Sequence, residues 1–271
     1  MPELPEVETT RRGILPYVEN FVVENLVVRN RSLRQPVPTT LKRNLVGCKI
    51  RALKRRGKYL LFEFAHGHLL VHLGMSGSLC LVDLEAPTRK HDHVDLALSS
   101  GKVLRYHDPR RFGLWLWSRG PIAEHPLLQH LGPEPLEADF DGSMLFQKSR
   151  KRKVAVKNFL MNAKTVVGIG NIYAAEALFA ARIRPTRAAG RVTQAEYRRL
   201  AEHSKRILAE AITQGGTTLK DFVGGDGNPG YFAQNLAVYG REGQLCRLCN
   251  SVLKGKVIGQ RASCYCPKCQ V

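Results

Sequence analysis

Four cysteines near the end of the chain stand in two pairs, Cys246-x2-Cys249 and Cys266-x2-Cys269, with sixteen residues between the pairs. Each CxxC makes a tight knuckle that turns two thiolates inward, and two knuckles complete a tetrahedron. That is the donor set of a structural zinc site rather than of a redox couple. Four protein thiolates leave no open coordination position. The predicted metal, one Zn2+ per chain, therefore holds the intervening hairpin 250–265 rigid and does no chemistry itself. Cys48, Cys80 and Cys264 fall outside the spacing and read as free thiols. His91-Asp92-His93 could in principle ligate a metal, but the cysteines already supply a complete set. The opposite end of the chain is unusual in another way. MPELPEVE carries Glu3, Glu6 and Glu8 and no base. Pro5 suits a first helical turn, and acids there favour the positive end of the helix dipole.

These residues need elements to hold them. Val7, Arg11 and Ile14 recur near helical spacing, and the pattern predicts that Pro16 ends this first helix. Strand-like runs follow at 22–28, 58–64, 68–73, 93–98, 102–107 and 113–118, with tight turns at 65–67 and 99–101. Short strands joined by short turns imply an all-β sandwich or barrel. LGPEPLEADFDG (131–142) reads as a linker. Beyond it the periodicity is helical, with one helix over roughly 153–162. A second is capped by Asn171 and stopped by Pro185, and a third opens on the capping box Thr193/Glu196 and ends at Gly215-Gly216.

The charge narrows the partner. Against 42 Lys+Arg stand 23 Asp+Glu, a formal +19 on 271 residues. Two runs, 49–58 and 148–157, hold six bases each and no acid. Such a balance points to a polyanion, most often nucleic acid. No run is long and apolar enough for a membrane span, and the acidic N-terminus lacks the apolar core of a secretory signal. The cysteine usage fits a reducing compartment. Zinc and positive charge alone are equally satisfied by a ribosomal or RNA-binding ribbon protein.

The N-terminus breaks that tie. MPELPEVETTRRG resembles the start of the formamidopyrimidine-DNA glycosylases, bacterial repair enzymes for oxidised purines. The resemblance continues in order through RGKYLLFE (56–63), HLGMSGSL (72–79), KHDHVDL (90–96), YHDPRRFG (106–113), VVGIGNIYAAEALF (166–179), QGGTTLKDF (214–222), NPGYFAQNLAVYGREG (228–243) and QRASCYCPKC (260–269). It implies a multidomain α and β protein with three parts: an N-terminal β-sandwich (1–133), a helical domain with a helix–two-turn–helix (134–236), and a C-terminal four-cysteine zinc-finger β-hairpin (237–271). The implied activity is removal of formamidopyrimidines and 8-oxoguanine from duplex DNA, followed by nicking of the abasic site by β,δ-elimination. A monomer in the bacterial cytoplasm, clamping DNA between its domains, goes with that family.

The same resemblance assigns roles. The nucleophile is the N-terminal proline, Pro2 here, which requires removal of Met1. An α-amino group titrates near roughly 8, below a lysine's ~10.4, so a useful fraction is neutral. An amine leaves a Schiff base that permits later strand cleavage. Glu3 is the acid–base partner, and Lys58, expected to begin a strand, is the proton donor in β-elimination. Arg261 serves δ-elimination and grips phosphate, for which a planar guanidinium is suited. Met75, Arg110 and Phe112 fill the hole left by the extruded nucleotide, Arg110 reading the opposite base. His91, Arg152 and Asn171 contact DNA, the last at a helix N-terminus. GGTTLKDF closes over the extruded base.

Overall fold

The computed structural model describes residues 2–217 and 235–271. Among them are two compact units: one of residues 2–129 with 214–217, the other of residues 130–213 with 235–271.

The first unit opens on α1 (Leu4–Val18). Its apolar side buries Leu4, Val7, Ile14 and Val18. Pro16 does not end it, contrary to the sequence expectation. A proline removes only its own N–H and sits here in the last turn, so the helix runs two residues further. Two four-stranded antiparallel sheets follow. One has the order β1 (Val23–Val28), β6 (Asp92–Leu98), β7 (Lys102–His107), β5 (Ser78–Asp83). The other has the order β2 (Ala52–Arg56), β3 (Tyr59–Phe64), β4 (Gly67–His72), β8 (Leu114–Ser118). One continuous core joins them: Leu26, Val94, Leu96 and Leu104 from the first sheet meet Leu60, Phe62, Val71 and Trp115 from the second. This is the expected sandwich. Each such side chain contributes about 1.5–3 kcal/mol by leaving water. A helical turn, α2 (Leu41–Leu45), connects β1 to β2.

Three features escaped the pattern. β2 lies inside the first basic run, where lysines and arginines hide the alternation. β5 lies in a mixed stretch and α2 is only one turn long. Lys58 does not begin β3: it shares with Gly57 the two-residue turn between β2 and β3. Gly57 has φ 56°, the positive value that hairpin turns with glycine in first place need. Both tryptophans are on β8. Trp115 is fully buried beside Tyr106, and Trp117 packs against Phe64 and His66.

The second unit is helical with a terminal hairpin. The expected linker is partly built in: Gly132 N–H donates to Ala163 O at 2.7 Å, Phe140 is buried, and Asp141 caps α3 (Gly142–Ser149). α4 (Val156–Met161) starts later than predicted, because Val154 and Val156 pair with residues 187–189. α5 (Asn171–Ala180) is capped by Gly170, so Asn171 is its first residue rather than its cap. The helix stops at Ala180, five residues ahead of Pro185, and Arg182 takes a left-handed conformation. α6 (Gln194–Thr213) has the predicted Thr193/Glu196 box, with both reciprocal bonds present. Last come β9 (Lys254–Ile258) and β10 (Arg261–Tyr265), joined by Gly259-Gln260, both at positive φ. Cys264 of β10 shares a cluster with Cys246, Leu253, Cys266 and with Ala175 and Phe179 of α5. No helix among the described residues is long and apolar enough to cross a membrane.

Candidate active site

Pro2 and Glu3 are buried at the mouth of α1, Glu3 being only 2% exposed. Their turn is held by Glu6, also buried. Its Oε2 accepts the Glu3 N–H at 2.8 Å and its Oε1 accepts the Thr217 N–H at 2.8 Å. Gly216, at φ +81°, lies against Glu6, where an added Cβ would stand 3.2 Å from Oε1. The sequence reading gave Glu6 only a dipole role. The Glu3-x-x-Glu6 spacing of a capping box was the signal that could have found it. Glu8, two residues on, is bound by Arg11, Arg12 and Arg55. Burial alone would raise its pKa. The hydrogen bonds from Arg11 and Arg12 and the charges of Arg11 and Arg55 outweigh that and hold it at about 2.

Lys58 is half-buried in its turn. Its charge bears on His72, a residue that sequence reasoning passed over. Burial, then the charges of Lys58 and Arg34, push His72 down to about 4, so the ring is neutral at ordinary pH. Its Nδ1 accepts the Gly74 N–H at 2.9 Å, which puts the ring proton on Nε2.

Met75 is half-buried, while Arg110 and Phe112 are exposed, Phe112 to 41%. Phe112 is thus a surface aromatic and not a core residue. The Arg110 guanidinium lies over its ring, 4.9 Å from the centroid. The loops bearing Met75 and Phe112 touch: a Cβ at Gly74 (φ +75°) would stand 2.6 Å from Phe112 C and from Gly113 N. His91 is half-buried between the rings of His93 and His107. His107 hydrogen-bonds Asp92 at 2.8 Å, and His93 Nε2 donates to Asp108 O at 2.8 Å. Among the described residues, only the four cysteines gather metal-ligating atoms.

In the second unit the basic run divides. Arg150 stacks on Phe146 (3.8 Å) and donates to Val192 O, while Lys157 is fully buried, its Nζ donating to Ser263 Oγ at 2.7 Å. Lys151, Arg152 and Lys153 face solvent. Asn171 Nδ2 donates at 3.0 Å to Ala262 O, next to Arg261, which is exposed at the start of β10. Asn171 and Arg261 are therefore brought together. Glu176 on α5 accepts the N–H groups of Ala237, Val238 and Tyr239 at 2.8–2.9 Å and so ties down the approach to the hairpin. Glu176 and Lys157 were not anticipated; their partners Val238 and Ser263 are 62 and 106 residues away.

The cysteine sulfurs lie within 4.8 Å of one another, with Cys249–Cys266 at 3.4 Å and Cys246–Cys269 at 3.9 Å. A tetrahedron with metal–sulfur bonds near 2.3 Å has edges of about 3.8 Å. The four residues can hold a metal ion, and Cys264, buried beside them, is not in the set. Of the predicted GGTTLKDF loop, residues 218–222 lie outside the described residues.

Residues 1–115 match the formamidopyrimidine-DNA glycosylase N-terminal domain, and residues 131–223 match the formamidopyrimidine-DNA glycosylase H2TH domain. The formamidopyrimidine-DNA glycosylase of Pseudomonas aeruginosa (strain LESB58) is 59% identical over 270 residues, covering 100% of both chains. That of Alcanivorax borkumensis is 58% identical over the same length, again covering 100% of both. Among solved structures, MutM (Fpg) from Thermus thermophilus superposes with TM-score 0.89 at 39% identity, covering 99% of this chain and 98% of that one. A Lactococcus lactis Fpg mutant in complex with Fapy-dG-containing DNA does so with TM-score 0.92 at 32% identity, covering 99% of each.

Proposed function

The chain belongs to the formamidopyrimidine-DNA glycosylase family, and from that premise we propose how its residues divide the reaction. It is a base-excision-repair glycosylase and abasic-site lyase. The observation that carries the assignment of its chemistry is the start of α1, where Pro2 and Glu3 are buried and their turn is held by Glu6. Once Met1 is removed, the Pro2 nitrogen attacks C1′ of the damaged nucleotide. The base departs with a proton supplied by Glu3. The sugar ring opens as O4′ takes up a proton, leaving an iminium between Pro2 and C1′. Loss of the C2′ proton then expels the 3′ phosphate, and a second elimination expels the 5′ phosphate. Lys58 serves the first elimination and Arg261 the second.

Met75, Arg110 and Phe112 take the space of the extruded nucleotide. The exposure of Arg110 and Phe112 and the stacking of Arg110 on Phe112 support that role. His91, Arg152, Asn171 and Arg261 bind phosphates of double-stranded DNA carrying oxidised purines. The metal held by Cys246, Cys249, Cys266 and Cys269 is one structural Zn2+, which keeps β9 and β10 in register behind Arg261. The protein acts as a monomer in the bacterial cytoplasm.

Borohydride trapping tests the chemistry. The processed chain, mixed with a duplex containing 8-oxoguanine opposite C, should give a covalent adduct, because hydride reduces the iminium to a stable amine. No adduct, or an active preparation with Met1 intact, would overturn the Pro2 assignment. A stronger adduct on oxidised-pyrimidine duplexes would move the substrate class.

A further inference from the structure

We propose that Asp108 is a positioning residue that fixes the loops of Met75 and of Arg110 and Phe112 as one body. Selection of the base opposite the lesion then depends on its carboxylate. The proposal rests on reading those three side chains as the ones that enter the duplex.

Asp108 is fully buried, yet among the described residues no Lys, Arg or His side chain pairs with its carboxylate. Its partners are four neutral donors drawn from both loops and the strand between them. Oδ1 accepts from Ser76 Oγ at 3.0 Å and from the Arg110 N–H at 3.3 Å. Oδ2 accepts from the Tyr106 hydroxyl at 2.9 Å and from the Gly113 N–H at 2.9 Å. Ser76 follows Met75 in sequence, while the Arg110 and Gly113 amides bracket Phe112. One carboxylate therefore bonds on either side of the proposed wedge. The backbone of Asp108 extends the anchor: its N–H donates to His91 O at 3.0 Å, and its carbonyl accepts from His93 Nε2 and from the Arg111 N–H.

The packing leaves the loops no slack. A Cβ at Gly113 would collide with the Tyr106 hydroxyl and stand 2.7 Å from His72 O. One at Gly77 would collide with Leu73 O and stand 2.8 Å from the Tyr106 hydroxyl. Arg111, between Arg110 and Phe112, sits at φ 57°, a left-handed conformation that a non-glycine residue holds only when its surroundings impose it. A buried carboxylate with four donors is such a constraint. Removing it takes that acceptor from all four donors at once and leaves the Tyr106 hydroxyl only the Leu73 carbonyl at 3.4 Å; a donor left buried and unpaired costs free energy. The wedge is thus assembled before DNA arrives, and Arg110 meets the opposite base from a fixed origin.

The test compares excision of 8-oxoguanine opposite C and opposite A by the processed full-length chain and its Asp108→Ala and Asp108→Asn variants. Asparagine keeps the shape but only one acceptor oxygen, for either the Arg110 or the Gly113 N–H; its amide faces the other backbone donor and can donate only to a hydroxyl, Ser76 or Tyr106, which turns to accept. Asp108→Ala should lose about tenfold in its C-over-A preference and raise KM more than it lowers kcat, the scale expected from losing hydrogen bonds to a charged group. Asp108→Asn should fall between the wild type and Asp108→Ala in both, because one backbone N–H keeps its acceptor. An Asp108→Ala protein that melts as a folded chain and keeps the wild-type preference overturns the proposal.

Arg110→Ala, run alongside, separates two failures. If it loses the preference while Asp108→Ala keeps it, the anchor is wrong. If it keeps the preference itself, the wedge reading is wrong and the anchor falls with it. Should Asp108→Ala not fold, the double variant Ser76→Ala/Tyr106→Phe removes two of the four donors and should lose preference severalfold. Full retention there overturns the proposal as well.

Discussion

The sandwich and the hairpin hold functional residues by different physics. In the sandwich a large two-layer core fixes the strands, and buried carboxylates trim the loops. Glu6 gathers the amides of Glu3 and Thr217, and Asp108 gathers those of Arg110 and Gly113. β9 and β10 are five residues each, and a two-stranded hairpin of that size is marginal in water. It is supported from outside by four cysteines placed to hold a metal ion, by Glu176 on three backbone amides, and by Lys157 Nζ on Ser263. A hydrophobic core suffices where there is sequence enough to build one. Where there is not, hydrogen bonds with charged side chains take its place, beside cysteines that can hold a metal ion. Base excision and the first elimination are assigned to the first region, and most of the phosphate grip, with the second elimination, to the second, so perturbations should separate them.

The largest effect should come at the chemical end. Glu3→Gln, or a chain with Met1 retained, should lower excision of 8-oxoguanine by at least about a thousandfold, as expected when a nucleophile or its acid partner is removed. Duplex binding, read by anisotropy, should change little. A parallel loss of binding would erase the division. Next is metal removal. A chelator should weaken duplex binding by about a hundredfold, because metal binding supplies the folding free energy of such sites. The thermal transition of the sandwich should stay in place, and a shift in that transition would show the regions to be one folding unit.

Third is acid. The folded pKa of Glu8 lies at about 2, below its ordinary 4.5. Its contribution is therefore complete above pH 4.5 and fades as pH falls towards 2. Glu8→Gln should cost about 2 kcal/mol at pH 7 in urea unfolding and progressively less below pH 4.5. A difference independent of pH would contradict the ion-pair account. The smallest effect belongs to Arg152→Ala, which should lower the slope of log affinity against log salt by about 1 and leave excision at saturating DNA unchanged.

What could be read in advance follows the same divide between local and distant. The cysteine spacing, most strand runs and the Thr193/Glu196 box are local patterns, and the structure reproduces them. β2 was hidden because charge masks alternation, and Pro16 misled because a proline in a last turn costs only one bond. Phe112 could equally have been a core side chain until its exposure was known. Asp108, Lys157 and Glu176 gave no local signal of their roles, because a buried charge is defined by partners that only the fold brings to it. Lys157 belonged to a run of six bases, and nothing in that run distinguishes the one that points inward.

Both tryptophans of the chain lie on β8, and neither indole N–H has a hydrogen-bond acceptor among the described residues. Intrinsic fluorescence excited at the indole band therefore originates wholly in the sandwich. The hairpin and its helices are dark in that channel, lit only by tyrosine. Emission can follow the melting of one region while the other is stripped of metal, loaded or bound, with no dye attached to the protein.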